Sequence, residues 1–197
     1  MKIILTIIIT FSHIVLLAQD QSHNQEIKLF QKELNEEFLN PDKTPLSEKE
    51  LSKFKELNFY PINKSLRFEA KFKRIHNPVS FQMKTTTNKT PTYDKYGEAI
   101  FEFEGKKYKL SIYQSHRLRQ TEKYKNYLFL PFADLTSGEE TYGGGRYIDL
   151  SVPSGEIIII DFNKAYNPFC AYNYKYSCPI PPKENILNLR IEAGVKN

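Results

Sequence analysis

Apolar and polar residues alternate one by one through most of the chain after residue 65, and this pattern restricts the fold more than any other feature. In RFEAKFK, residues 67–73, Phe68, Ala70 and Phe72 share one parity and charged residues occupy the other. Because successive side chains of a strand point to opposite faces, such a segment is typical of a half-buried β-strand. The pattern predicts eight strands, at 66–74, 79–84, 97–104, 107–114, 126–131, 145–151, 156–162 and 186–192.

The segment before the predicted strands has the apolar spacing of a helix. Apolar residues recur every three or four positions over 24–39, which predicts an amphipathic helix that ends before Pro41. Ser47 and Glu50 have the spacing of a capping box, so a second helix is expected to begin there and to end near Asn58.

Helices followed by strands predict an α+β fold that is mostly β. We expect two N-terminal helices packed on a strongly bent antiparallel sheet or open barrel of about eight strands. Residues 19–60 would carry the helices and residues 61–197 the β-rich part of one globular domain. The chain is 40% hydrophobic and 26% charged, which favours a folded protein over a disordered one.

The first 18 residues have the pattern of a secretory signal peptide. Lys2 precedes an apolar run from Ile3 to Leu17, and the small residue Ala18 ends it. An uncleaved membrane anchor is the alternative, but the run is shorter than the roughly 20 residues that span a bilayer. We therefore predict cleavage near Ala18–Gln19, a periplasmic or secreted protein, and no transmembrane segment after cleavage.

Positive charge is concentrated in the middle of the chain. The formal net charge is +5, and residues 64–125 contain 15 lysine or arginine residues against 6 aspartate or glutamate residues. This stretch could bind nucleic acid, but its alternation is that of half-buried strands, and an exported protein rarely meets nucleic acid. We expect no nucleic-acid partner and regard an anionic envelope surface as the better candidate.

Two cysteines lie in a proline-rich segment, residues 163–185. Seven residues separate Cys170 from Cys178, and an oxidising compartment would allow them to form a disulfide. A metal site is the alternative, with ligands from His23, His76 and His116. Their spacing does not match a metal-binding pattern, so we expect a disulfide and no metal.

Three glycines precede an arginine in residues 134–150, DLTSGEETYGGGRYIDL. No Gly-Lys-Ser/Thr follows, and the next residues form a strand, so this is not a nucleotide-binding loop. The glycines instead predict positive φ or a close backbone approach before a strand. Arg146 shares parity with Ile148 and Leu150 and should point inward, where Asp161 or a bound anion would have to neutralise it.

Carboxylates near this stretch suggest a second possibility. Glu139, Glu140, Asp149 and Asp161 lie close in sequence, and two of them could perform acid–base catalysis on a sugar. Solvent-exposed turn residues are the simpler interpretation of Glu139 and Glu140. Asp161 follows four isoleucines, so it needs a polar partner.

Two long segments resemble a known family. PFADLTSGEETYGGGRYIDL and IDFNKAYNPFCAYNYKYSCPIPPKEN, with a terminal IEAG, resemble the bacterial family known as domain of unknown function 1684. The resemblance implies no activity. It identifies, by motif, Asp134, Thr136, Gly138, Thr141, Tyr142, Gly143, Gly145, Arg146, Asp149, Asp161, Asn163, Tyr166, Asn167, Pro168, Cys170, Cys178, Pro179 and Asn185.

Together these patterns favour a non-enzymatic binding module. Its site would be polar and anion-accepting, would lie between the TYGGGR turn and the DFNKAYNP loop, and would hold an unidentified small anionic or polar ligand without a cofactor. One alternative is a hydrolase of envelope glycans or esters that uses Asp161 with Glu139 or Glu140. Another is a closed polar cluster with a purely structural role. The expected ligand-binding residues are Arg146, Tyr142, Asp161, Asn163, Tyr166 and Asn167.

Overall fold

The computed structural model describes the backbone of residues 2–197 and the side chains of residues 21–197. The predicted signal peptide, residues 1–18, and its cleavage point lie outside the residues whose side chains are described. Within the part of the chain that is described, no helix has both the length and the apolar character needed to cross a bilayer.

The chain contains one long helix and one short helix. Helix α1 spans Lys2–Leu39 and contains the predicted 24–39 segment. Helix α2 spans only Glu48–Leu51, although its capping box forms as predicted. It ends early because the chain beyond it runs back towards α1, where the Leu57 N–H donates to Asn35 Oδ1 at 2.7 Å and the Phe54 ring stacks on Phe38.

Seven antiparallel strands form one strongly curled half-barrel. The order across the sheet is β6-β5-β4-β3-β1-β7, and β2 pairs with β3. The strands are β1 Arg67–Arg74, β2 Ser80–Gln82, β3 Thr92–Phe103, β4 Lys106–Ser115, β5 Tyr127–Phe132, β6 Arg146–Ser151 and β7 Ile157–Asp161. Short 3-10 helices span Lys64–Leu66, Leu118–Gln120, Glu122–Tyr124, Phe162–Lys164, Phe169–Ala171 and Lys183–Asn185.

The predicted strand at 186–192 does not form, which leaves seven strands instead of about eight. Leu187, Leu189 and Ile191 are buried in alternation, and this burial explains the strand-like pattern. The backbone makes only a few bonds to the chain after β5, such as Leu187 N–H to the Ala133 carbonyl at 2.8 Å. Beyond them, the Ile191 carbonyl accepts from the Arg146 side chain instead of from a neighbouring strand.

Each face of the sheet carries a packed cluster. The inner face carries the main core, to which β1 contributes Phe68, Ala70 and Phe72 in the predicted alternation. The outer face of β3–β6 carries a second, mostly aromatic cluster beneath the 163–185 segment. Its buried members are Met83, Tyr93, Tyr113, Phe129, Tyr147 and Cys178.

Candidate functional site

The glycine-rich turn delivers Arg146 into the core. Gly145 has a φ of +83°, and a Cβ there would lie 2.5 Å from the Phe132 carbonyl oxygen, so only glycine fits before β6. Arg146 follows with 0% of its surface exposed. The predicted inward orientation of this residue is therefore confirmed.

The ion-pair partner of Arg146 is Asp134, not Asp161. Arg146 Nη2 lies 3.2 Å from Asp134 Oδ1 and donates to the Ile191 carbonyl at 2.9 Å. Nη1 donates to the carbonyls of Ala193 and Val195. Asp134 Oδ2 accepts from the Ile191 N–H at 2.8 Å. Both terminal nitrogens of the guanidinium therefore bind groups of the protein itself. Their hydrogen bonds to the carbonyls of Ile191, Ala193 and Val195 hold the C-terminal segment beside Arg146.

Asp161 and Asn163 form a separate polar cluster at the end of β7. Asp161 Oδ2 lies 2.7 Å from His23 Nε2, and its Oδ1 accepts from Asn163 Nδ2 at 2.7 Å. The Asn163 side chain also forms two hydrogen bonds with the backbone of Asn63: its Oδ1 accepts from the N–H, and its Nδ2 donates to the carbonyl. The side chains of His23, Asp161 and Asn163 are buried. This cluster ties α1 and the chain before β1 to β7.

The glutamates of the hydrolase hypothesis have other partners. Glu139 and Glu140 are exposed, and both form ion pairs with Arg190. Asp161 is buried beside His23. The structure therefore gives these carboxylates separate surroundings.

Tyr142 and Asn167 line a cavity of about 230 Å³ next to the cysteines. The Tyr142 hydroxyl lies 3.8 Å from Cys170 Sγ. The cysteines are in contact as two free thiols, with Cys178 Sγ accepting from the Cys170 N–H at 3.1 Å. Their disulfide remains a prediction.

Tyr166 belongs to a further site, centred on Asp149. The hydroxyls of Tyr166 and Tyr127 each donate to Asp149 Oδ1 at 2.7 Å. Asp149 is open to solvent, yet the surrounding protein desolvates it and raises the pKa of its carboxyl, against the effect of the two tyrosine hydrogen bonds. Burial is also the main cause that raises the pKa of Tyr127 and Tyr166, with the Asp149 charge adding to it.

Two cavities meet at this carboxylate site. One, of about 280 Å³, is lined by Asp149 together with Glu33 and Glu37 of α1. The other, of about 270 Å³, lies under the cysteine segment and is mainly aromatic. Tyr166 and Phe169 line both. The aromatic cavity is lined by Tyr93, Tyr127, Phe129, Tyr147, Tyr166, Phe169 and Tyr176, with Pro168, Ser177, Cys178 and Pro179.

Sequence reasoning did not assign Asp149, Tyr127, Glu33 or Glu37 to a ligand site. Parity predicts that Asp149 lies on the face of β6 opposite Arg146, which is correct, and its exposed side chain lines a cavity on that face. The available signal was the richness in tyrosine, 13 residues, several of which share the outward parity of their strands. Among the described side chains, no three histidine, cysteine or carboxylate groups converge in a way that could hold a metal ion.

Comparison with known proteins relates this architecture to a solved structure. It is similar to the solution NMR structure of the uncharacterized protein from gene locus rrnAC0354 of Haloarcula marismortui, with a TM-score of 0.71 and 28% sequence identity over 91% of this chain and 97% of that chain. None of the curated proteins that were compared matches the chain. The model of the family described as "Protein of unknown function (DUF1684)" matches residues 52–196, which include Arg146, Asp149 and both cysteines. The chain therefore belongs to the DUF1684 family.

Proposed function

We propose that this protein is an exported, non-enzymatic binding module whose ligand carries a positively charged group on an apolar or aromatic body. The observation that carries the proposal is Asp149, an accessible carboxylate that accepts two tyrosine hydroxyls where the two cavities meet. Export is supported by the N-terminal sequence pattern.

The charge of the cavity walls favours a cation. Among the described residues, the linings of the two cavities include Asp149, Glu33 and Glu37 but no lysine, arginine or histidine. Asp149 also has no ion-pair partner within the described part of the chain. Tyrosine and phenylalanine rings supply much of the remaining surface, and the faces of such rings attract cations by about 0.5–2 kcal/mol each.

The raised pKa of Asp149 also favours a cationic ligand. Desolvation by the surrounding protein raises the pKa of this carboxyl against the effect of its two tyrosine hydrogen bonds, although the side chain is exposed. A bound cation would supply the missing interaction and would lower that pKa again. Each cavity, of about 280 and 270 Å³, is close to the lower end of the range for small-molecule sites, roughly 300–1,000 Å³.

The contacts of Arg146 favour this site over the anion-accepting one expected from the sequence. The Arg146 side chain is fully buried, and its terminal nitrogens bind Asp134 and backbone carbonyls. A hydrolase that uses Asp161 with Glu139 or Glu140 has no geometric support, because these carboxylates have separate partners.

The test is calorimetric titration with three probes that share a phenyl ring: benzyltrimethylammonium, benzyl alcohol and benzoate. We expect the cation to bind best and the anion least. Asp149→Asn keeps an oxygen for the tyrosines but removes the charge, so cation affinity should fall by about 10- to 100-fold. Its melting temperature should change little, because the Asp149 side chain is exposed and the asparagine oxygen can still accept both tyrosine hydrogen bonds.

Asp42→Asn is the matched control, since Asp42 is exposed and lines neither of the two cavities. It should bind like the wild type. The quaternary probe does not titrate, so its binding should be lost as the pH falls through the raised pKa of Asp149, and Asp149→Asn should abolish this pH dependence. Preferential binding of benzoate, or equal cation affinity in Asp149→Asn, would overturn the proposal.

A further inference from the structure

The largest cavity lies outside the proposed site, at the C-terminal end of β1. It is a cleft of about 730 Å³ between β1, β3 and the loop that connects β6 to β7. Four basic residues line it, and Glu156 is the one carboxylate among its described lining residues. The basic residues are Lys71, Lys73, Arg74 and His76.

These cations are not neutralised by the protein. Lys71, Lys73 and His76 form no hydrogen bond or ion pair with the described residues. Elsewhere on the same sheet, lysines are paired: Lys95 and Lys109 both bind Glu98, at 2.7 and 3.1 Å. The cleft is therefore a local concentration of unpaired positive charge.

The Arg74 guanidinium is held in a fixed position beside the cleft. It lies 3.3 Å from the centroid of the Tyr96 ring, and Nη1 donates to the carbonyls of Ile75 and Tyr96. Nη2 and Nε have no partner among the described residues. Across the cleft, the backbone N–H groups of Ser154 and Gly155 make no hydrogen bond within the described chain. Fixed guanidinium and backbone donors of this kind suit a phosphate group.

Exposed apolar side chains border these charges. Ile157 on the edge strand β7 lies directly opposite Lys71, and Ile159 lies opposite Glu69. Both isoleucines face outward, with 51% and 36% of their surface exposed, and Val79 in the loop after β1 is 85% exposed. Directly opposite residues in antiparallel strands share a face, so isoleucine and lysine side chains form one amphipathic surface.

We propose that this surface, formed by Lys71, Lys73, Arg74, His76 and Ile157, docks on an anionic phospholipid bilayer and places a lipid phosphate in the cleft. The basic residues match the headgroup charge, and the isoleucines can enter the interfacial layer. A free phosphate would use the cleft but not the exposed isoleucines. The proposal is independent of the Asp149 site, because none of the cleft residues lines either cavity of that site.

The test is co-sedimentation with vesicles of phosphatidylcholine alone or mixed with phosphatidylglycerol, at about 0.15 M salt. We expect wild-type protein to bind only when phosphatidylglycerol is present. Lys71→Ala/Lys73→Ala should weaken this binding by about 30-fold, since each lysine near an anionic surface adds about fivefold. Ile157→Ser should weaken it several-fold without any change in net charge.

Lys106→Ala/Lys107→Ala is the matched control. These lysines are equally exposed and unpaired, but they lie at the turn between β3 and β4. The control should bind nearly as well as the wild type. All variants are compared as the mature chain expected to begin near Gln19, so the apolar segment 3–17 is absent from each. Melting curves should show that every variant is folded, because all of the substituted side chains are exposed.

Three results would overturn the proposal. The first is equal weakening in the two double variants, which would indicate a simple net-charge effect. The second is equal binding to both kinds of vesicle. The third is binding of inorganic phosphate alone, measured by NMR shifts around the cleft, without any binding to vesicles.

Discussion

Two charged residues on β6, three positions apart, have opposite surroundings. Arg146 faces the inner core, where Asp134 and three backbone carbonyls surround it. Asp149 faces the outer cavity, where two tyrosine hydroxyls bind it but no cation among the described residues does. Breaking a buried ion pair is costly because it leaves an uncompensated charge, whereas an accessible carboxylate without an ion-pair partner among the described residues can bind a cationic ligand.

Arg146→Ala tests the structural role of the inner cluster. It would leave Asp134 buried without its cation and would remove donors from the C-terminal carbonyls. We expect a loss of about 3–5 kcal/mol in the free energy of unfolding, measured by urea denaturation. Arg146→Lys should rescue only part of this, since an ammonium cannot reproduce the planar fork.

Arg190→Ala is the comparison variant, because Arg190 also pairs with carboxylates but is exposed. It should change stability little. If Arg146→Ala were as stable as the wild type, and if sulfate raised the melting temperature of the wild type alone, the anion site expected from the sequence would be restored.

At the level of elements, the 163–185 segment converts the outer sheet face into a cavity. Tyr166 and Tyr147 exchange two backbone hydrogen bonds, of 2.9 and 3.0 Å, which fix the start of the segment against β6. Its other end is held where the Thr86 N–H donates to the Cys178 carbonyl at 2.9 Å. The cysteines therefore lie in the cover of the proposed site.

We predict that Cys170 and Cys178 are bonded to each other in the exported protein. Cys178 Sγ already lies 3.1 Å from the Cys170 backbone nitrogen, and hydrogen bonds from Cys178 and Tyr142 lower the pKa of Cys170 to about 6, which favours the reactive thiolate. Alkylation of the unreduced, denatured protein should find no free thiol. Reduction should cost about 2–3 kcal/mol and leave most of the fold intact, because the closed loop is short.

Two reactive thiols in the unreduced protein from an oxidising compartment would contradict this prediction. Cys170→Ser/Cys178→Ser provides the control. It should resemble the reduced wild type in its stability and should show no further change when reductant is added.

On the scale of the whole molecule, the part of helix α1 that follows the predicted cleavage point packs against the rest of the protein. Ile27 and Phe38 are fully buried, and His23 reaches Asp161. Cleavage near Ala18–Gln19 would leave all of these contacts in the mature protein. The cavity residues Glu33 and Glu37 lie on the same retained part of α1.

We therefore expect the mature chain to begin near Gln19 and to fold normally. Intact-mass analysis of protein recovered from the envelope or the medium measures this directly. A species that keeps Met1 and partitions with membranes would contradict it. Ala18→Arg, which removes the small residue at the cleavage point, should cause accumulation of the longer form.

The sequence by itself determined the local features of this protein. The positions of most strands, the capping box at Ser47, the need for glycine at 145 and the inward orientation of Arg146 all follow from residue period and backbone sterics. These properties involve only near neighbours in the chain. The family motifs are equally local, since they are continuous strings of residues.

Only the tertiary structure decided which distant groups meet. Arg146 pairs with Asp134 and not with Asp161, because the inner face of the curled sheet brings the chain after β5 to the start of β6. The six expected ligand residues separate into different surroundings for the same reason. Buried and exposed residues alternate over 186–192 as in a strand, but this segment lacks a continuous partner strand. Asp149 lines a cavity because α1 and the 163–185 segment pack beside its face of β6. Residue parity specifies the face of a strand to which a side chain points, whereas the order and curvature of the sheet determine what lies against that face.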